Sequence, residues 1–187
     1  MATETKDESW TRWLWVGAVA LLLVPFIAMR VTTEVNWGLG DFIFAGLMLS
    51  ALCGLVQLAV RRSSEANYRW AMTLAALGGF AVIWVNLAVG IVASEDNDYN
   101  SVFFVIILAT IAASVVVRIK AAAMAKILPV TAIALLVALG VGQMVGSDEL
   151  HDTRIAEWTG VTVFAGLFAL SAILFRRAAR VDELTDK

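Results

Sequence analysis

The side chains able to do chemistry in this sequence gather in two short polar stretches. The first runs from Thr32-Thr33-Glu34-Val35-Asn36-Trp37 through Gly38-Leu39-Gly40 to Asp41-Phe42. The second runs from Trp84-Val85-Asn86 to Ser94-Glu95-Asp96-Asn97-Asp98-Tyr99-Asn100. Carboxylates and amides are hard oxygen donors of the kind that hold Ca²⁺ or Mg²⁺. The second stretch lacks the ligand spacing and central glycine of an EF-hand, so it reads as a solvated acidic turn and no metal is assigned to it. Asp41 stands where it would cap the start of a helix, accepting from open N–H groups and complementing the dipole. The flexible Gly38-x-Gly40 would alternatively let that turn dip back among the helices. Asn86 and Gln143 are amides inside otherwise apolar runs, where an interhelical hydrogen bond is the ordinary role and a ligand contact the more specific one.

Other chemistries are excluded by the residue types on hand. A single cysteine, Cys53, cannot form an intrachain disulfide or a thiolate metal cluster. A single histidine, His151, cannot supply bis-His haem ligation or a multi-histidine metal site. No HExxH, GxSxG, phosphate-binding loop or CxxC motif occurs. The expectation is a protein that is not an enzyme and that carries no cofactor and no metal. A net charge of -2 gives no footprint for nucleic acid.

The elements that must position these residues follow from where charge is missing. Of the 187 residues, 60% are hydrophobic and only 16% charged, against about a quarter charged in a soluble domain. The charges are confined to short stretches between six uncharged runs, at residues 13–29, 42–60, 70–94, 99–117, 127–147 and 158–175. Crossing a hydrocarbon core takes roughly 20 helical residues, and backbone groups in lipid must be satisfied internally. The predicted fold class is therefore all-α: a polytopic transmembrane bundle of six helices with short loops, forming one transmembrane domain. Pro25 would kink the first helix, and Pro129 falls in the first turn of the fifth on these boundaries. Small residues four apart, Ala75/Gly79, Ala109/Ala113, Gly142/Gly146 and Ala165/Ala169, are candidate close-packing seams.

Lys and Arg set the orientation. Twelve of them fall on the side of the two termini and only Arg30 and Arg154 on the other, so both termini are expected to be cytoplasmic. The opposite face then carries nine acids, Glu34, Asp41, Glu95, Asp96, Asp98, Asp148, Glu149, Asp152 and Glu157. Exclusion of basic residues from the outer side by the insertion rules accounts for such a face; the functional alternative is a vestibule that concentrates cations or meets a basic partner. Trp10, Trp13, Trp15, Tyr68 and Trp70 at one predicted interface, and Trp37, Tyr99 and Trp158 at the other, form the expected aromatic belts.

Glu34-Val35-Asn36-Trp37…Asp41-Phe42 and Trp84-Val85-Asn86-Leu87-Ala88-Val89-Gly90…Glu95-Asp96-Asn97 resemble segments of small six-helix bacterial inner-membrane proteins without an assigned activity. The resemblance covers roughly residues 30 to 100. It implies a bacterial inner-membrane location and a six-helix bundle, and it supplies no reaction. Glu34, Asn36, Trp37, Asp41, Asn86, Glu95 and Gln143 are the candidate ligand-binding residues, all toward the acidic face. No charge lies inside the six runs, which disfavours a proton relay or a coupled carrier. The expected function is therefore contact without catalysis, as an accessory or assembly subunit or a binding module. Its partners would be the bilayer and a second membrane protein or another copy of the chain. The alternative is a channel or carrier for a cation or small polar solute past Asn86 and Gln143.

Overall fold

A computed structural model describes residues 4–94, 96–145 and 154–185, with side chains described between 12 and 181 of those ranges. Six helices make up almost all of it: α1 (Glu4–Val31), α2 (Leu39–Arg62), α3 (Ala66–Ala88), α4 (Ser101–Val116), α5 (Ala121–Val145) and α6 (Arg154–Thr185). Each is long and apolar enough to cross a bilayer, α4 when counted with the 3-10 turn Asp98–Asn100 that leads into it, with apolar windows of mean hydropathy between 1.8 and 2.2. This is the architecture of a multi-pass integral membrane protein, and the described residues contain no strand.

The chain divides into two compact units, Met1–Arg62 and Ser63–Lys187. The first is the α1–α2 hairpin. Cys53 Sγ lies 3.7 Å from the Leu14 carbonyl oxygen, and a Cβ on Gly46 would sit 3.8 Å from Leu22 Cδ1, so the two helices run antiparallel. Pro25 lies inside α1 without ending it. The start of α2 is fixed by Asp41, whose Oδ2 accepts the Gly38 N–H at 2.8 Å. A third-position carboxylate reaching back to the residue before the helix is one half of a capping box. Asp41 thus has the capping role that its position suggested, and the helix begins at Leu39 instead of leaving a glycine loop to re-enter.

In the second unit α3 packs on α4 and α6, and α5 packs on the same two helices, closing a four-helix arrangement. The polar contacts inside it show antiparallel register. Ser171 Oγ, fully buried, donates to the Ala71 carbonyl at 2.6 Å, and the Tyr68 ring meets Phe175 edge-on at 5.4 Å, tying α3 to α6. Thr110 and Thr131 share a hydroxyl–hydroxyl bond of 2.8 Å between α4 and α5. The seam between α3 and α6 is tight at Gly78, where a Cβ would come 3.2 Å from the Phe168 ring. Of the candidate small-residue seams, Ala109 and Ala169 are instead exposed. Spacing alone does not say which side of a helix the small pair faces.

The ends of these helices depart from the uncharged runs where charge is a poor marker of backbone. α5 begins at Ala121, not at 127, because Ala121-Ala122-Ala123-Met124-Ala125 is a strong helix former and the charged Lys126 simply faces outward. Pro129 therefore lies within α5 and not in its first turn. α6 runs 32 residues, about 48 Å at 1.5 Å per residue, well beyond a hydrocarbon core of about 30 Å. α4 ends in a Schellman motif: Arg118 N–H reaches the Val115 carbonyl and Ile119 N–H the Ser114 carbonyl, both at 2.9 Å. Arg118 and Ile119 both hold φ of 53°, a left-handed conformation costly for a β-branched residue. The Tyr68 hydroxyl donates to the Ile119 carbonyl at 3.0 Å and fixes that turn.

Candidate functional site

The largest departure from a simple helical run gives the second unit its polar end. Residues 70–94 were expected as one helix, but α3 stops at Ala88. Gly90 takes φ of 75° and Ala93 takes φ of 67°, and the chain reverses between them. A Cβ at residue 90 would collide with the Ser94 carbonyl, so only glycine fits there. Ile91 and Val92 turn inward and are buried, which leaves their backbone groups away from water. Such groups must find partners within the protein.

Asn100 supplies them. Its Oδ1 accepts the Ile91 and Val92 N–H groups at 3.2 and 2.9 Å, and its Nδ2 donates to the Val92 and Ser94 carbonyls at 3.2 and 2.7 Å. All four hydrogen-bonding positions of one buried amide are spent on the reversal. Asn97 adds a second clasp, with Oδ1 accepting the Tyr99 N–H at 3.0 Å and Nδ2 donating to the Val92 carbonyl at 3.4 Å. Helix α6 holds the other side: Glu157 Oε1 accepts the Ala93 N–H at 3.1 Å. Glu157 Oε2 accepts from Gln143 Nε2 at 3.0 Å, and Gln143 Oε1 in turn accepts the Trp158 indole N–H at 2.8 Å. The Tyr99 hydroxyl donates to the Ala138 carbonyl at 2.7 Å, and its ring lies over Gly142, where a Cβ would come 2.6 Å from Cε1.

Beside this locked connection lies a pocket of about 250 Å³. Asn86, Asp96, Asp98 and Ser101 give it polar groups, and Leu87 and Phe104 give it an apolar wall. Asp96 and Asp98 are exposed. Asn86 is only 3% exposed; its Nδ2 donates to the Asn100 carbonyl at 2.9 Å, while its Oδ1 is buried with no hydrogen-bond partner. Swapping the amide atoms would set oxygen against oxygen at Asn100, so the orientation follows from the bond. Since α3 ends at Ala88, Asn86 lies in its last turn and not the roughly 12 Å from the helix end that an unbroken run to Ser94 gives.

The candidate residues separate into three places. Glu34, Asn36, Trp37 and Asp41 belong to the first unit, around the turn between α1 and α2. There Trp37 meets Phe42 edge-on at 5.3 Å, Phe26 meets the same ring at 6.4 Å, and the Arg30 guanidinium lies 5.4 Å from the Phe26 ring. Glu34 and Asn36 are exposed, and the Glu34 N–H donates to Thr32 Oγ1 at 3.1 Å. Asn86 lines the pocket. Gln143 is instead part of the Glu157–Trp158 network, joined to the same connection through Ala93. Glu95 and His151 lie outside the described residues. Sequence reasoning missed Asn100 and Glu157. Asn100 is the last residue of an Asp/Asn-rich turn before an apolar run, the position where an amide organises backbone locally, and that signal was readable. Nothing in the sequence ties Glu157 to Ala93.

Among the described residues no group of three or more His, Cys, Asp or Glu side chains is placed to hold a metal ion. No protein-family model, curated protein or solved structure matches the chain.

Proposed function

We propose that this is a non-catalytic bacterial inner-membrane protein, with both termini cytoplasmic, that acts by binding at its acidic outer face. The observation that carries the reading is the locked α3–α4 connection. A buried amide, Asn100, and a half-buried carboxylate, Glu157, hold its backbone, while Asp96 and Asp98 are left exposed around a pocket. A connection of ordinary length needs no such investment; a rigid loop that presents charge in a fixed place is what a binding module requires. The sorting of Lys and Arg by side supports the orientation.

The polar groups at depth favour contact over passage. Thr110 pairs with Thr131, Ser114 Oγ donates to the Thr110 carbonyl at 2.7 Å, and Ser171 donates to Ala71, so each is used within the bundle. Extraction in a mild detergent tests the reading: a stoichiometric partner or retained ligand is expected, lost on charge neutralisation of Asp96 and Asp98. Cation or solute flux through proteoliposomes containing this chain alone would overturn it in favour of a channel or carrier.

A further inference from the structure

We infer that the pocket beside the α3–α4 connection takes a primary ammonium group. This inference rests on the binding-module reading and names the chemistry of what is bound. Two features carry it independently. The first is the orphaned Asn86 Oδ1, an acceptor in a side chain 97% buried, at a pocket-lining residue. A buried acceptor without a donor is costly, about 1–3 kcal/mol in general, and it calls for a group that brings an N–H or O–H. The second is the pair of carboxylates, Asp96 and Asp98, lining the same pocket. They set the sign of the ligand's charge.

The remaining lining narrows the class. Asn100 is fully committed to the backbone of the connection, and Asn97 Oδ1 already accepts the Tyr99 N–H. The pocket offers two carboxylates, and among the described residues no group of three or more His, Cys, Asp or Glu side chains is placed to hold a metal ion. An ammonium group has three donors in a compact head, which matches one amide oxygen and two carboxylates. Leu87 and Phe104 then offer an apolar wall to the carbon chain that follows the nitrogen. About 250 Å³ accommodates a head of a few heavy atoms. Two sources supply this chemistry, a free alkylamine and the ethanolammonium head of a phospholipid, and Leu87, exposed at the end of α3, is placed to meet an acyl chain.

The test uses the full chain in maltoside micelles, titrated calorimetrically with n-butylammonium, tetramethylammonium and calcium chlorides. Saturable n-butylammonium binding is expected, with tetramethylammonium, which has the charge but no N–H, at least about tenfold weaker. The double variant D96N/D98N, altered only at exposed positions, is expected to weaken n-butylammonium about tenfold without lowering the melting temperature. N86L is expected to abolish the preference for n-butylammonium over tetramethylammonium. Native mass spectrometry after incubation with equal phosphatidylethanolamine and phosphatidylcholine separates the sources. At least fivefold retention of the former points to the lipid head, and equal retention alongside n-butylammonium binding to a free amine. Equal binding of the two ammonium ions, no binding of either, indifference to D96N/D98N, or saturation by calcium alone would each overturn the proposal. None of those results touches the binding-module reading, which is judged by co-purification and flux.

Discussion

A single amide decides the shape of the polar end. Asn100 spends four hydrogen bonds on a backbone reversal whose apolar residues, Ile91 and Val92, are turned away from water. Removing it strands the Ile91 and Val92 N–H groups, while the Val92 and Ser94 carbonyls keep the Asn97 Nδ2 and the Asn97 N–H as donors. N100A is therefore expected to lose about 3 kcal/mol, the cost of a small set of buried groups left unmade. Thermal unfolding in detergent measures the loss, and faster amide exchange at Ile91 and Val92 locates it. An unchanged exchange rate at those two amides would mean that the reversal is held by something else. Gly90 works with Asn100, because its left-handed φ lets the chain turn where any Cβ would meet the Ser94 carbonyl.

Between elements, two kinds of contact hold the second unit, and they differ in magnitude. Ser171 donates to the Ala71 carbonyl from a fully buried position. Hydrogen bonds between membrane helices are nevertheless modest, because the separated helices also find partners. S171A is expected to cost at most about 1 kcal/mol. Gly142 holds no bond, but it allows the Tyr99 ring to lie against α5, and a methyl there would be 2.6 Å from Cε1. G142A is expected to cost about 2 kcal/mol through overpacking. Unfolding of both variants by denaturing detergent checks the order, and a larger loss for S171A than for G142A would show that the hydrogen bond outweighs the packing. The uncharged runs pointed correctly to six helices at this scale, but not to their ends. Charge reports what lipid excludes, whereas a helix end is set by caps, by alanine-rich extensions such as Ala121–Ala125, and by reversals such as the one after Ala88.

For the molecule as a whole, the prediction concerns sidedness. With Cys53 replaced by alanine, single cysteines at Asp41 and Asp96 are expected to react with a membrane-impermeant thiol reagent from outside intact cells. Cysteines at Arg62 and Arg177 are expected to react only after the membrane is opened. Labelling of Asp96 and Arg177 positions from the same side would overturn the orientation drawn from Lys and Arg. The acidic candidate residues fall in both units, Asp41 in the α1–α2 hairpin and Asp96 in the four-helix unit.

What the sequence determined by itself was the number and apolar character of the helices, because the cost of burying charge and open backbone in hydrocarbon acts on composition over lengths of about 20 residues and needs no tertiary partner. The capping of α2 by Asp41 was legible for a similar reason, since its bond to Gly38 spans only three residues. Tertiary structure alone decided that Gly90 to Ala93 leave the helix in an uncharged run, that Glu157 reaches Ala93 across 64 positions, and that Asn86, whose Oδ1 is unpaired, lines one pocket with two carboxylates. Those outcomes depend on which distant groups satisfy a buried amide or peptide, and no local pattern encodes that pairing.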